Sequence, residues 1–356
     1  MKHTNVQTFG TNYTNLPPAA INSFTPTILN IKTTDSNPIT SITNIIKLNK
    51  LHSSNVTCIC PLGNNKIITG SSNGSISLCT CNYLNKKCEL LFKKEDIHKK
   101  AITSICKLDS DRFITASKDS TIKAWKLSHT NADISLIQTM TSHTQEITKV
   151  ILLNENKLIS CSLDNTIKLW ETKYPFENIK NNYEKCTCPS SVIELKGKNT
   201  IVISCKDKPN GCLKLLNLFP FKKGPIIDDI YTPCSSGLVE LSNGFVAVST
   251  SQPCGISIIN MINCVKVARF EDVNFLNEAG SLVLLNNESF AYVWKGKFCQ
   301  INFDDENKFQ IIFKKLFGKE EFNGSSACLD DNGKCLLIDN DNGKFGINVF
   351  EIKYTF

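Results

Sequence analysis

Arginine is almost missing from this chain: of its 40 basic residues, only Arg112 and Arg269 carry a guanidinium. That planar fork is the group best suited to gripping phosphates in a bidentate way. Nucleic-acid footprints also gather lysine and arginine on one face. Here the net charge of +7 comes from scattered lysines, which favours a solvated lysine-rich surface over a nucleic-acid one. Long apolar runs are missing too. No stretch reaches the roughly 18 residues that a membrane-spanning helix needs, so membrane insertion is not expected. The amino terminus, MKHTNVQTFG, has neither the apolar core of a secretory signal nor the arginines of a mitochondrial one.

Cysteine is plentiful, at 17, but no two cysteines stand in the Cys-x-x-Cys spacing of a zinc ribbon or finger. Cys-x-Cys pairs such as Cys79/Cys81 and Cys186/Cys188 leave zinc a minor reading, and neither a metal nor a cofactor is expected. Cys58, Cys60, Cys106, Cys161, Cys205 and Cys328 fall in predicted strands where sister segments carry Ile, Val, Ser or Thr. They read as small buried hydrophobes in a reducing, intracellular setting, the cytoplasm or the nucleus. The acidic stretch DNDNGK, Asp339 to Lys344, lacks the ligand register of a calcium loop and reads as a hairpin turn.

What the chain does have is a repeat. The stretch from His143 to Trp170, HTQEITKVILLNENKLISCSLDNTIKLW, reappears 45 residues earlier as HKKAITSICKLDSDRFITASKDSTIKAW, His98 to Trp125. A weaker copy runs from His52 to Cys79. Each copy holds an alternating strand, an Asn, Gly or Asp turn, a short apolar strand, a second turn and a third strand. First strands recur at Val56, Ile102, Ile147, Ser190, Ser236, Gly280 and Ser325, about 45 residues apart. Segments such as CELLFK, ISLIQTM, CVKVARF and FQIIFKK supply a fourth strand between units. Seven units of four antiparallel strands describe an all-β, seven-bladed propeller. The chain ends after the third strand of its last unit. The spare strand around Ile42 to Leu48 is predicted to complete that sheet, leaving no open edge. Residues 1–38, rich in Thr, Asn, Pro and Ser, read as a flexible arm ahead of a propeller spanning 39–356.

These residues resemble the WD40 repeat family, whose pattern is a leading His, a Ser or Thr on the second strand, an Asp in the next turn and a closing Trp. His98, Thr115, Asp119 and Trp125 match it, as do His143, Ser160, Asp164 and Trp170, with identical spacings of 17, 4 and 6. The first unit keeps His52 and Thr69 but has Asn73 and Cys79 in the other two places. Later units depart further, with Leu216, Ile259, Phe303 and Phe350 at the Trp position, so kelch-like or other seven-bladed propellers remain alternatives there. A His–Ser–Asp set invites a hydrolase reading. Its recurrence in sister units with a Trp attached favours buried bracing, in which each polar group satisfies the next.

The resemblance implies a scaffold or adaptor that binds proteins or peptides on the face carrying the loops that lead into the blades. The family's contact positions fall on Asn55, Thr57 and Ser72, on Ala101, Thr103 and Lys118, and on Glu146, Thr148 and Leu163. Aligning the first strands extends this ring to Ser190, Ser236, Gly280 and Ser326. A nucleic-acid-associated or ribonucleoprotein subunit is the second reading, motivated by the charge. A propeller enzyme is the third, disfavoured because no titratable residues converge.

Overall fold

In the computed structural model, the second strands explain the architecture. Lys66–Ser71, Arg112–Ser117 and Lys157–Ser162 are buried at every position after the first. A strand buried on both faces must be covered on both, so these sequences (KIITGS, RFITAS, KLISCS) run apolar and small rather than alternating. Outer strands meet water: of Lys87–Lys94 only Phe92 is buried. The structure describes residues 39–354 apart from 129–132, 181–185, 207–209, 219–220, 229, 231–232, 242–243, 252–253, 271–279, 286–288, 295–296, 304–308, 317–326, 331–332, 334 and 341–344. The predicted arm of residues 1–38 lies outside the described residues.

Among the described residues there are seven four-stranded antiparallel sheets. The first three are built from Val56–Gly63, Lys66–Ser71, Ile76–Asn82 and Lys87–Lys94; from Ile102–Lys107, Arg112–Ser117, Ile122–Leu127 and Ile134–Met140; and from Ile147–Leu152, Lys157–Ser162, Ile167–Glu171 and Asn178–Lys180. First strands of successive sheets touch in order around a ring, and that of the seventh touches that of the first. The fold is therefore a closed seven-bladed propeller. Seven apolar clusters fill its seven blade junctions. No helix among the described residues is long and apolar enough to cross a membrane.

Closure takes the predicted route. Ile39–Leu48 pairs antiparallel with the last strand, Gly346–Tyr354, in a sheet completed by Cys335–Asn340 and Ala327–Leu329. The register sets Ile42 opposite Ile352 and Leu48 opposite Ile347. All three of Ile39, Ile42 and Ile46 are buried, Ile39 and Ile42 in the junction with blade six and Ile46, past a register shift, in the junction with blade one. The first and last strands of the propeller thus share one sheet, and the ring cannot open without losing that ladder. Asp339, expected in a turn, instead sits fully buried within the strand Cys335–Asn340.

Candidate functional site

The signature residues of blades two and three form the same buried chain of hydrogen bonds. The indole N–H of Trp125 donates to Thr115 Oγ1 at 2.9 Å, and His98 Nε2 lies 2.7 Å from the same oxygen. His98 Nδ1 lies 3.0 Å from Asp119 Oδ2. A neutral imidazole satisfies every member: the indole donates to the threonine, the threonine hydroxyl to Nε2, and Nδ1–H to the carboxylate. In blade three, Trp170 donates to Ser160 at 2.9 Å, Ser160 meets His143 Nε2 at 2.7 Å, and His143 Nδ1 meets Asp164 at 2.8 Å.

Each carboxylate is tied down further. Asp119 accepts from the Lys99 backbone at 2.9 Å and from the Thr121 backbone and hydroxyl at 2.9 and 2.6 Å. Burial pushes the Asp119 carboxyl up, but the His98 and Thr121 hydrogen bonds outweigh it and hold the group well below the usual carboxylate range. Asp164 behaves alike: burial raises it, and Thr166, His143 and the Thr144 amide hold it down. Burial lowers His143, even with Asp164 pulling the other way. Thr121 and Thr166 were not anticipated in sequence. The signal that could have found them is a hydroxyl residue two places after the turn acid in each copy.

Blade one solves the same problem with other atoms. His52 Nε2 meets Thr69 at 2.8 Å, and Nδ1 meets Ser75 Oγ at 2.7 Å, whose hydroxyl donates to Asn73 at 2.7 Å. No carboxylate bonds this ring directly, and burial, reinforced by Lys93 and only partly opposed by Glu95, lowers His52 to about 4. Cys79 occupies the indole position. Its thiol turns to the Ile67 carbonyl at 3.4 Å. Leu216, Ile259 and Phe350 hold that position in later blades and are fully buried by apolar packing. The side chain of Phe303 is outside the described set.

The rim residues divide into two groups. Thr57, Thr103 and Thr148 turn their hydroxyls to the next blade, donating to the carbonyls of Ile102 at 2.5 Å, Ile147 at 2.7 Å and Pro189 at 2.8 Å. Their own second strands offer carbonyls at 3.2 Å, the longer choice in each case. One hydroxyl has one proton, so these threonines link neighbouring blades. Asn55, Ala101 and Glu146 instead accept backbone N–H bonds from Ser72, Lys118 and Leu163, which joins the two loops of each blade. Their side chains remain at least partly open, and Lys118 pairs with Glu146 across blades two and three at 3.5 Å. Ser190 meets Ser204 at 2.8 Å. A Cβ at Gly280 would stand 2.6 Å from the Val293 carbonyl, so that position stays bare by necessity. Ser326 and the side chain of Ser236 lie outside the described set.

Both arginines have local partners. Arg112 grips Asp109 through Nε at 2.7 Å and a terminal nitrogen at 2.6 Å. Arg269 is buried against Thr250 and Ser257.

The comparisons agree with this geometry. The family model described as WD domain, G-beta repeat, matches residues 43–79, 91–126 and 134–171. No curated protein is significantly similar in sequence. Among solved structures, the chain is similar to the WD40 β-propeller domain of Doa1, at 14% identity and a TM-score of 0.66, covering 89% of this chain and 98% of that one. It is also similar to the WD40 repeats of RRP9, at 10% identity and a TM-score of 0.70, covering 89% and 99%. At such identities the likeness speaks for the fold, and with 1455 solved chains matching, it selects no partner. The chain is a seven-bladed β-propeller that carries three WD40 repeats.

Proposed function

We propose that this propeller is a protein-interaction scaffold or adaptor subunit, binding partner proteins or peptides at the rim around Asn55, Ser72, Ala101, Lys118, Glu146 and Leu163. The observation that carries the reading is the division of labour among the polar residues. Histidine, serine and aspartate, the groups a hydrolase would need, are spent as buried bracing, with side chains of His143 and Asp164 exposed by only 0% and 6%. What the rim offers water is an ion pair and small polar groups on a braced frame. Such a surface supports recognition better than acid–base chemistry.

A nucleic-acid role draws on the +7 charge alone. Against it, Arg112 is committed to Asp109 and Arg269 is buried, so neither presents a free fork to a phosphate. Lys168 and Lys214 are buried as well. Thirteen cysteines are free among the described residues, which suits a reducing interior, cytoplasmic or nuclear.

The test is affinity capture from the native cell with the wild-type chain and with a Lys118→Glu, Glu146→Lys, Asn55→Arg rim variant. The reading expects a stoichiometric protein partner, resistant to ribonuclease and lost in the variant. Recovery unaffected by the variant, or abolished by nuclease and falling steeply with salt, would overturn it.

A further inference from the structure

Three thiols meet at the junction that closes the ring. Cys79 and Cys81 lie two apart on the third strand of blade one and so share a face, and Cys88 on the outer strand stands directly opposite Cys81. All three sulfurs lie within 4.8 Å of one another. Cys79 and Cys81 are fully buried, while Cys88 is partly open. They line the cluster between blades one and seven, with Ile46, Leu51, Ile67, Leu337, Ile347 and Val349. The junction is distinctive for a specific reason. In blades two and three an indole fills this position and donates to a hydroxyl. Here Cys79 leaves the indole's place to sulfur. In the structure Cys81 and Cys88 are joined as a disulfide.

We propose that in the reduced protein Cys79, Cys81 and Cys88 form a three-thiolate site for a thiophilic divalent d10 ion, of the zinc or cadmium class, and that the Cys81–Cys88 disulfide is its ion-free, oxidised alternative. Soft thiolates select such ions, and three protein ligands leave a fourth position for water on the open Cys88 side. Charge favours a divalent ion: three thiolates leave a net −1 with M2+ but −2 with M+, and burying the larger net charge is costlier. The spacing of Cys79 and Cys81 alone gave no such site. The third ligand comes from the facing strand, seven residues on.

The two states exchange by balanced steps. A phosphine or dithiol reductant opens the disulfide by delivering two electrons, and two protons complete the thiols. Binding then releases three protons, one from each sulfur, as the three metal–sulfur bonds form. Hydrogen peroxide reverses the process. Two electrons leave the sulfurs of Cys81 and Cys88 as their bond forms, the O–O bond breaks, and two protons complete two waters. Cys79 takes up a third proton and the ion departs.

The experiment uses the full chain, reduced with a phosphine, desalted without oxygen and titrated with Cd2+ while sulfur-to-cadmium charge-transfer absorption is followed. The proposal expects one equivalent that is lost, or bound about tenfold or more weakly, in Cys88→Ala, retained in Cys188→Ala, and absent from the disulfide form. In parallel, one equivalent of Cd2+ must shield Cys88 from iodoacetamide in the wild-type chain, a readout by peptide mass that does not depend on any variant folding. Equal binding by Cys88→Ala, binding by the oxidised chain, or unshielded Cys88 each overturns the assignment.

Discussion

Trp170 donates its indole proton to Ser160 Oγ at 2.9 Å, from the neighbouring strand and ten residues further along the chain. The bond closes a polar chain through His143 to Asp164, while the indole's ring packs on blade two beside Ala116, Ile122 and Met140. One side chain therefore both satisfies the interior of its own blade and fills the junction with the preceding one.

Replacing Trp170 with alanine removes both functions. The expected loss is about 3–5 kcal/mol, from the cavity and the unsatisfied hydroxyl together. Urea unfolding measures it, and Trp170→Phe, which keeps most of the ring volume but no donor, is expected to lose less. An unchanged midpoint for Trp170→Ala would mean that blade three is wrongly assigned.

Acid should weaken the fold through His52. The folded imidazole titrates at about 4 and the unfolded one near 6.5, so between those values the unfolded chain binds more protons. Stability then rises with pH across that window: it is fully present above 6.5 and lost as pH falls towards 4. At pH 5 the contribution lost is about 2 kcal/mol. His143, lowered in the same direction by burial, adds to it. Unfolding midpoints at pH 7 and pH 5 in wild type and His52→Gln provide the check, the variant being expected to show the smaller fall.

The threonine links predict a stability effect without a binding effect. Thr103→Val keeps the shape but leaves the Ile147 carbonyl without the donor that now stands at 2.7 Å. The expected cost is about 1 kcal/mol, with similar values at Thr57 and Thr148. Partner capture by these variants should match wild type, whereas rim substitutions at Lys118 and Glu146 should do the reverse, since an exposed ion pair contributes little to folding. A threonine variant that folds normally yet loses its partner contradicts this division.

Closure can be tested at a single position. A Cβ on Gly346 would lie 1.8 Å from the Leu48 carbonyl, on the strand that completes blade seven. Gly346→Ala must push that strand away, and overpacking of this kind typically costs about 1–3 kcal/mol or more. Thermal unfolding and proteolysis around residues 39–48 should both respond. If neither does, the ring is not held shut by this ladder.

Much of this was legible in sequence because it is local and repeated. The His98/Thr115/Asp119/Trp125 and His143/Ser160/Asp164/Trp170 columns report buried groups that must satisfy one another, and their equal spacings carry over into equal geometry. The closing strand was legible from a deficit, a last unit one strand short. Other features were not. Thr57, Thr103 and Thr148 sit where the resemblance places partner contacts, and nothing in a period of 45 says that a hydroxyl will reach the next blade instead. The outer strands Asn178–Lys180 and Phe221–Asp228 have weak sequence signals, because strands at the rim face water and are free of the strict alternation that burial imposes.

The number of blades, the bracing inside three of them and the way the ring closes can all be read from the chain alone, since each follows from strand period, turn chemistry and the need to pair buried polar groups. Which carbonyl each rim threonine meets, and that Cys88 faces Cys81 beside Cys79, emerges only once the sheets are packed. Those contacts depend on the register across a turn and on the approach of separate sheets. Side chains far apart in the chain, or facing each other across a ladder, leave no period to read.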